Sequence, residues 1–144
     1  MSEMTPAAYP LSFVAEGGEF VVRSRDFPEL LTAGDSEEEA VDLAEDALEV
    51  VALTYLEKGL PLPPASRPAK SERLVYLPAQ VLAKIAVVLA WRQSVISKSE
   101  LARRMGVAEN EVRRILDPSY GTKLDKLDAA ARALGHHLIV GLAA

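Results

Sequence analysis

The residues best suited to recognition chemistry lie in SKSELARRMGVAENEVRRILDP, residues 97–118. An asparagine such as Asn110 can pair in bidentate fashion with adenine, arginines such as Arg113 and Arg114 with guanine, and Glu109 can accept from cytosine. Lys98, Lys123 and the backbone amides near Ser97 suit phosphate, whose contacts position a protein without specifying a sequence. To act together, these groups must leave one side of a helix while its other side packs. The local pattern provides for that. Ser97 with Glu100 is a capping box that opens a helix over 98–105, and Gly106 permits a sharp turn. A second helix follows over about 109–116, stopped by Asp117-Pro118. Ala102 is small where the second helix must cross close to the first, and Leu101, Met105, Val107, Val112 and Ile115 supply the apolar contacts. Glu109, Asn110, Arg113, Arg114 and Asp117 then point outward. This is the grammar of a helix-turn-helix, whose second helix lies in the DNA major groove. One local preference is broken: Ala108 stands where a Ser-type cap is favoured, at a cost of about 1 kcal/mol.

The surrounding residues from 78 onward read as helical. Pro78 suits the first position of a helix over 79–92 that is apolar nearly all round, with only Gln80, Lys84 and Arg92 polar. Val81, Ile85, Val88 and Leu89 would face a core, which leaves Val87 and Trp91 off that stripe. Side chains of that size do not stay in water without cost, so either a neighbouring unit or a second subunit must cover them. Because helix-turn-helix proteins bind two half-sites as dimers, Val87 and Trp91 are expected at an oligomer interface. Thr122 with Asp125 resembles a further capping box. Leu124, Leu127, Ala131 and Leu134 stripe the last helix, Gly135 closes it, and Leu138 to Val140 could form a short strand.

The first half reads differently. YPLSFVAEGGEFVVRS is two β-rich runs around Gly17-Gly18, and Gly-Gly supplies the positive φ of a two-residue turn. That register sets Ala15 opposite Phe20 and Phe13 opposite Val22, with Val14 facing Val21 and Ser12 facing Arg23 on the other side. A third run, Leu30 to Ala33, stops at Gly34. Ser36 with Glu39 forms a capping box, and the helix it opens carries Val41, Ala44, Leu48, Val51 and Tyr55 at helical spacing before Gly59 ends it. Glu38, Asp42, Glu45 and Glu49 mark its opposite face. Residues 61–71 are a Pro-rich connector, and Glu72 to Leu77 reads as a fourth strand. The fold class is therefore α+β: a βββαβ domain over 1–77, with the connector at 61–71, followed by an all-α helix-turn-helix domain over 78–144.

Composition narrows the functions further. The 144 residues are 49% apolar and 26% charged, which is globular rather than disordered composition. With no cysteine, thiolate metal sites, disulfides and Cys nucleophiles are excluded, and the two histidines, His136 and His137, are adjacent and share no face. No metal site, cofactor or catalytic triad is expected. The longest wholly apolar run, Ile85 to Trp91, has 7 residues, far short of the roughly 20 that span a bilayer. Glu3 stands where a signal peptide would carry basic residues, so a cytoplasmic, membrane-free protein is expected. Charge is uneven: residues 1–77 hold 6 Lys and Arg against 15 Asp and Glu, a net of −9, whereas 78–144 hold 10 against 6, a net of +4. An acidic half joined to a basic half suggests two partners, with nucleic acid suited to the basic one.

With both halves in view, the chain resembles the HicB family of type II antitoxins. The hairpin, the FPELLTAGDSEEEAVDLAEDALE stretch and the PLPPAS linker carry the resemblance in the first half, GDSEEEA (Gly34 to Ala40) most specifically, and LARRMGV belongs to it in the second. Leu31 departs from the family pattern, where many members have Gly. The resemblance implies a partial ribonuclease-H-like amino-terminal domain and a Cro/Xre-like carboxy-terminal one. It further implies that the first masks a HicA-type mRNA interferase toxin, that the second binds operator DNA of its own gene pair, and that Arg25, Asp26, Phe27 and Glu29 face the toxin. Self-association as a homodimer or homotetramer is expected. Nuclease activity is not: such chemistry needs carboxylates converging on divalent ions, one of them on the first strand, and residues 9–15 hold no Asp or Glu. The protein is thus not expected to be an enzyme. A rival reading is a stand-alone transcription regulator with a ligand- or protein-binding amino-terminal domain.

Overall fold

A computed structural model describes residues 4–144; Glu3, and the reading placed on it, lies outside the described residues. The chain divides after Pro78 into two compact units. In the first, β1 (Ala8–Glu16) and β2 (Glu19–Ser24) form a hairpin whose turn residues Gly17 and Gly18 have φ of 58° and 84°. Such angles are costly for any residue with a Cβ. The two-residue turn fixes the pairing, and the register is the expected one: Ser12 with Arg23, Phe13 with Val22, Val14 with Val21, Ala15 with Phe20. β3 (Leu31–Gly34) pairs with β2, while β4 (Glu72–Tyr76) returns to the free side of β1. The result is a four-stranded antiparallel sheet in the order β3-β2-β1-β4.

α1 (Glu37–Glu57) starts at Ser36, whose Oγ accepts from the Glu39 amide at 3.1 Å. It covers the sheet face that carries Tyr9, Leu11, Val22 and Val75, all buried. The helix stripe differs from the expected one. Ala40, Ala44, Leu48, Ala52 and Leu56 are buried, one every fourth residue, while Val41, Val51 and Tyr55 are only half-buried. The cause is a close approach at Gly34, where a Cβ would lie 2.6 Å from the Ala40 nitrogen. A helix seated that near a strand turns its small residues inward. On the opposite sheet face Val14, Leu31, Leu74 and Tyr76 stay exposed.

The second unit is helical: α2 (Ala79–Gln93), α3 (Lys98–Met105), α4 (Glu109–Ile115) and α5 (Leu124–Ala133). Its core joins Ala83 and Val87 of α2 to Leu101, Ala102, Val112, Ile115, Leu127, Ala130 and Ala131. Val87, expected at an oligomer interface, is instead 1% exposed and part of this unit's own core, because α2 packs on a wider arc than one stripe. Trp91 is half-buried against the same core. Ile85 and Val88 are buried as expected, and Val81 and Leu89 half-buried. Three smaller expectations fail. Lys123, not Thr122, caps α5, and its side chain makes no cap bond. Leu124 is exposed. Residues 138–140 form no strand; Leu138 packs on the core while Ile139 and Val140 face solvent. Among the described residues, no single helix is long and apolar enough to cross a membrane.

Candidate functional site

The α3–α4 pair is built as its capping signals require. Ser97 Oγ accepts from the Glu100 amide at 3.0 Å, and α3 ends on Gly106 with φ 69°, in the left-handed region. Val112 and Ile115 turn inward, so the side of α4 bearing Glu109, Asn110, Arg113 and Arg114 is left exposed. Glu109 accepts from Ser99 at 3.0 Å and from Arg113 at 3.1 Å. An ion pair one helical turn apart on an exposed face is weak, so it orients the Arg113 guanidinium without committing it. Asn110 makes no side-chain hydrogen bond among the described residues. Arg114 lies with its guanidinium 5.8 Å from the Tyr120 ring centre, and Lys98 holds its ammonium 5.5 Å from that of Trp91. Lys123 is exposed at the start of α5. An open cleft of about 540 Å³ lies between α4 and α5, lined by Asn110, Arg114, Tyr120, Lys123 and Lys126 among others. Lys126 pairs with Glu111, which raises its pKa. Glu100, held by Arg103 at 2.6 Å and Arg104 at 3.0 Å, is kept below the usual carboxylate range by those two guanidiniums.

The second candidate region, residues 25–29, is organised otherwise. Phe27, expected on a partner-facing surface, is turned inward. It is fully buried, with ring centres 4.7 Å from Tyr9 and 5.0 Å from Tyr55, because an aromatic ring in this otherwise polar loop gains more from the core than from water. Arg25 forms a two-pronged pair with Glu72 at 2.6 and 2.9 Å and donates to the Arg67 carbonyl at 2.9 Å. Asp26, half-buried, accepts from both the Ser66 amide, at 3.0 Å, and the Ser66 hydroxyl. Glu29 accepts from the Tyr55 hydroxyl at 2.7 Å, which lowers the Glu29 pKa and raises that of Tyr55. Tyr9 donates to the Pro63 carbonyl at 2.8 Å, and burial, aided by Asp26, pushes its pKa up to about 12. Glu72 is held below its ordinary range by Arg25 and by the Ala69 amide. Together these bonds clasp the Pro-rich connector. Arg25 and Glu29 remain exposed.

Ser66, Tyr55 and Glu72 in this clasp, and Tyr120 and Lys126 beside α4, are the participants the residue pattern alone did not single out. Tyr55 reads from the sequence only as part of the α1 stripe and Glu72 only as the start of a strand, while Ser66 and Tyr120 lie in segments without periodicity. Elsewhere, Glu38, Asp42 and Glu45 stand exposed along α1 and Glu49 is half-buried. Among the described residues, no three carboxylate or imidazole groups come together as metal ligands.

The amino-acid sequence of this chain has counterparts among known proteins. The family model for the HicB_like antitoxin of bacterial toxin-antitoxin systems matches residues 8–86. The protein named Antitoxin HicB 2 of Photorhabdus laumondii subsp. laumondii is 38% identical over 130 residues, covering 90% of this chain and 92% of its own length. Antitoxin HicB of Escherichia coli (strain K12) is 34% identical over 131 residues, 90% of this chain and 95% of that one. Antitoxin HicB of Pseudomonas fluorescens (strain Pf0-1) is 31% identical over 137 residues, 94% of each. The chain belongs to the HicB-like antitoxin family of toxin-antitoxin systems.

Proposed function

We propose that this antitoxin has two working surfaces: its amino-terminal unit neutralises a HicA-type mRNA interferase, and its carboxy-terminal unit represses the operon that encodes both. The observation that carries the second half is α4. It buries Val112 and Ile115 and leaves Asn110, Arg113 and Arg114 exposed on a unit whose net charge is +4. Read as a helix-turn-helix of the Cro/Xre kind, α3 and α4 would place Asn110 and Arg113 against base edges, with Ser97, Lys98 and Lys123 on phosphate. Glu109 and Arg114 would flank them. A ribonuclease-H-like reading of the first unit agrees with its sheet and single covering helix, and its net −9 would attract a basic RNA-cutting partner. Arg25 and Glu29 are the exposed members of the proposed toxin-facing loop, while Phe27 supports that loop from inside.

Action in the cytoplasm, with no catalysis of its own and no cofactor, follows from this role. Reading two half-sites requires a homodimer or homotetramer; the half-buried Trp91 and the exposed Val95, Ile139, Val140 and Leu142 are among the apolar groups of the second unit that such contacts would use. Co-expression with the small basic protein of a neighbouring reading frame tests the first half. Rescue of growth and co-purification of the pair are expected, and failure of both overturns it. Fluorescence anisotropy with duplex DNA from upstream of the chain's own reading frame tests the second half, which is overturned if that duplex binds no better than a scrambled one.

A further inference from the structure

Lys84 is the one charged residue in the middle of α2 and is 4% exposed. Lysines are almost never buried unless their ammonium is fully partnered. Here it is. Nζ donates to the carbonyls of Arg114 at 3.1 Å, Ile115 at 2.7 Å and Asp117 at 3.1 Å, and to Thr122 Oγ1 at 2.7 Å. The first two carbonyls close α4 and the third follows it directly. The last carbonyls of a helix lack partners within it and carry the negative end of its dipole, so a buried cation is well matched to that place. α4 has particular need of it: the helix is only 7 residues long, and its Ala108 cap makes no side-chain bond. Helices that short do not hold themselves. One turn earlier on α2, Gln80 donates to the Thr122 carbonyl. α2 thus grips both the end of α4 and the end of the 117–122 turn.

We propose that Lys84 is the positioning residue of the recognition helix, its ammonium fixing the carboxy-terminal end of α4 in the pose from which Arg113 reaches base edges. The proposal rests on the DNA-binding reading above. It differs from a mere packing role because it depends on the number of N–H donors, not on the volume of the side chain. The protonated head has three hydrogens for these four acceptors, so one hydrogen is shared; the neutral amine has only two, and the group of acceptors around the end of α4 loses a donor. Burial lowers the Lys84 pKa to about 8, with Asp117 drawing it back up. The other charged side chains on the segments packed against it, Arg114 and Lys123, have exposed ends.

The test uses the full chain in two arms. Without DNA, an NMR titration of the wild-type protein between pH 6 and 10 follows the Lys84 side chain and the backbone signals of residues 114–117 and 122. These are expected to shift together with one midpoint near 8. Signals of the α4 end that ignore the Lys84 midpoint overturn the proposal. With DNA, anisotropy compares the upstream duplex with a scrambled one. Lys84→Met keeps the volume and removes the donors, and is expected to lose about tenfold on the upstream duplex with little change on the scrambled one. Wild-type preference for the upstream duplex is expected to fall as pH rises through 8, and that of Lys84→Met to stay flat. A folded Lys84→Met that retains full preference refutes the positioning role. Should Lys84→Met not fold, the wild-type pH series decides by itself. A wild-type chain with no preference for the upstream duplex removes the DNA reading instead, and the first arm still decides whether Lys84 holds α4.

Discussion

Two charged segments look alike on paper, the 25–29 loop of the first unit and α4 of the second, and the chain uses them in opposite ways. In the loop, Arg25, Asp26 and Glu29 are bonded to Glu72, Ser66 and Tyr55 of the same unit, and Phe27 is core. On α4, Arg113 has one weak partner in Glu109, Glu109 is held by Arg113 and Ser99, and Asn110 has no side-chain partner among the described residues. The difference lies in what surrounds each segment. The loop sits beside a connector without regular structure, whose backbone amides and carbonyls need partners, so its charges are recruited inward. Along α4 the open carbonyls at the helix end are served from the buried side by Lys84, so no unpaired backbone draws the outward side chains in. Residue type therefore states what a group can bind, and the backbone needs of its neighbours decide whether it is free to do so.

The sharpest way to break this contrast is at Phe27. Phe27→Ala is expected to cost the first unit about 3–5 kcal/mol, as for other buried aromatics, with a matching fall in the urea midpoint. A stable variant that merely lost its partner would return Phe27 to the surface role. On α4, Arg113→Ala or Asn110→Ala is expected to leave thermal unfolding in place and cost about 1–3 kcal/mol on the operator alone. Equal losses on operator and random DNA would remove that residue from the base-reading set. Lys123→Ala is expected to weaken all duplexes alike and flatten the salt slope by about one, as binding isotherms over a range of salt would show. The smallest effect concerns the clasp. Because Arg25 and the Ala69 amide lower the Glu72 pKa, the stability this carboxylate adds is full above its ordinary value of 4.5 and is lost as pH falls through the lowered one. Arg25→Met returns Glu72 toward ordinary behaviour, so acid unfolding followed by circular dichroism is expected to begin at a higher pH.

The parts legible in the sequence are those fixed by local chemistry. Gly17-Gly18 allowed one tight turn and hence one register; Ser36, Ser97 and Gly106 marked helix ends that the structure places within a residue of expectation. What escaped depended on contacts made only in three dimensions. The inward row of α1 follows from the approach of Ala40 to Gly34, which no periodicity encodes. Phe27 meets Tyr9 and Tyr55 only in three dimensions. Thr122 had the spacing of a cap, yet its hydroxyl accepts from Lys84, 38 residues earlier. For Phe27 and Thr122, the missing information was a contact between segments far apart along the chain; for α1 it was a close approach of strand and helix across a short turn.

The order β3-β2-β1-β4 has a consequence for how this chain comes together. β1 is made early yet borders β4, whose residues 72–76 arrive some sixty positions later, so its outer rim stays open while hairpin and helix assemble from near neighbours. An open rim invites pairing with other nascent chains. Ser66 and Arg67 bond to the 25–29 loop just ahead of β4 in the chain, so once that tether is made only a handful of residues separate it from the strand. The entropy of that last closure shrinks accordingly, and the interval in which the young sheet is vulnerable to aggregation shortens with it.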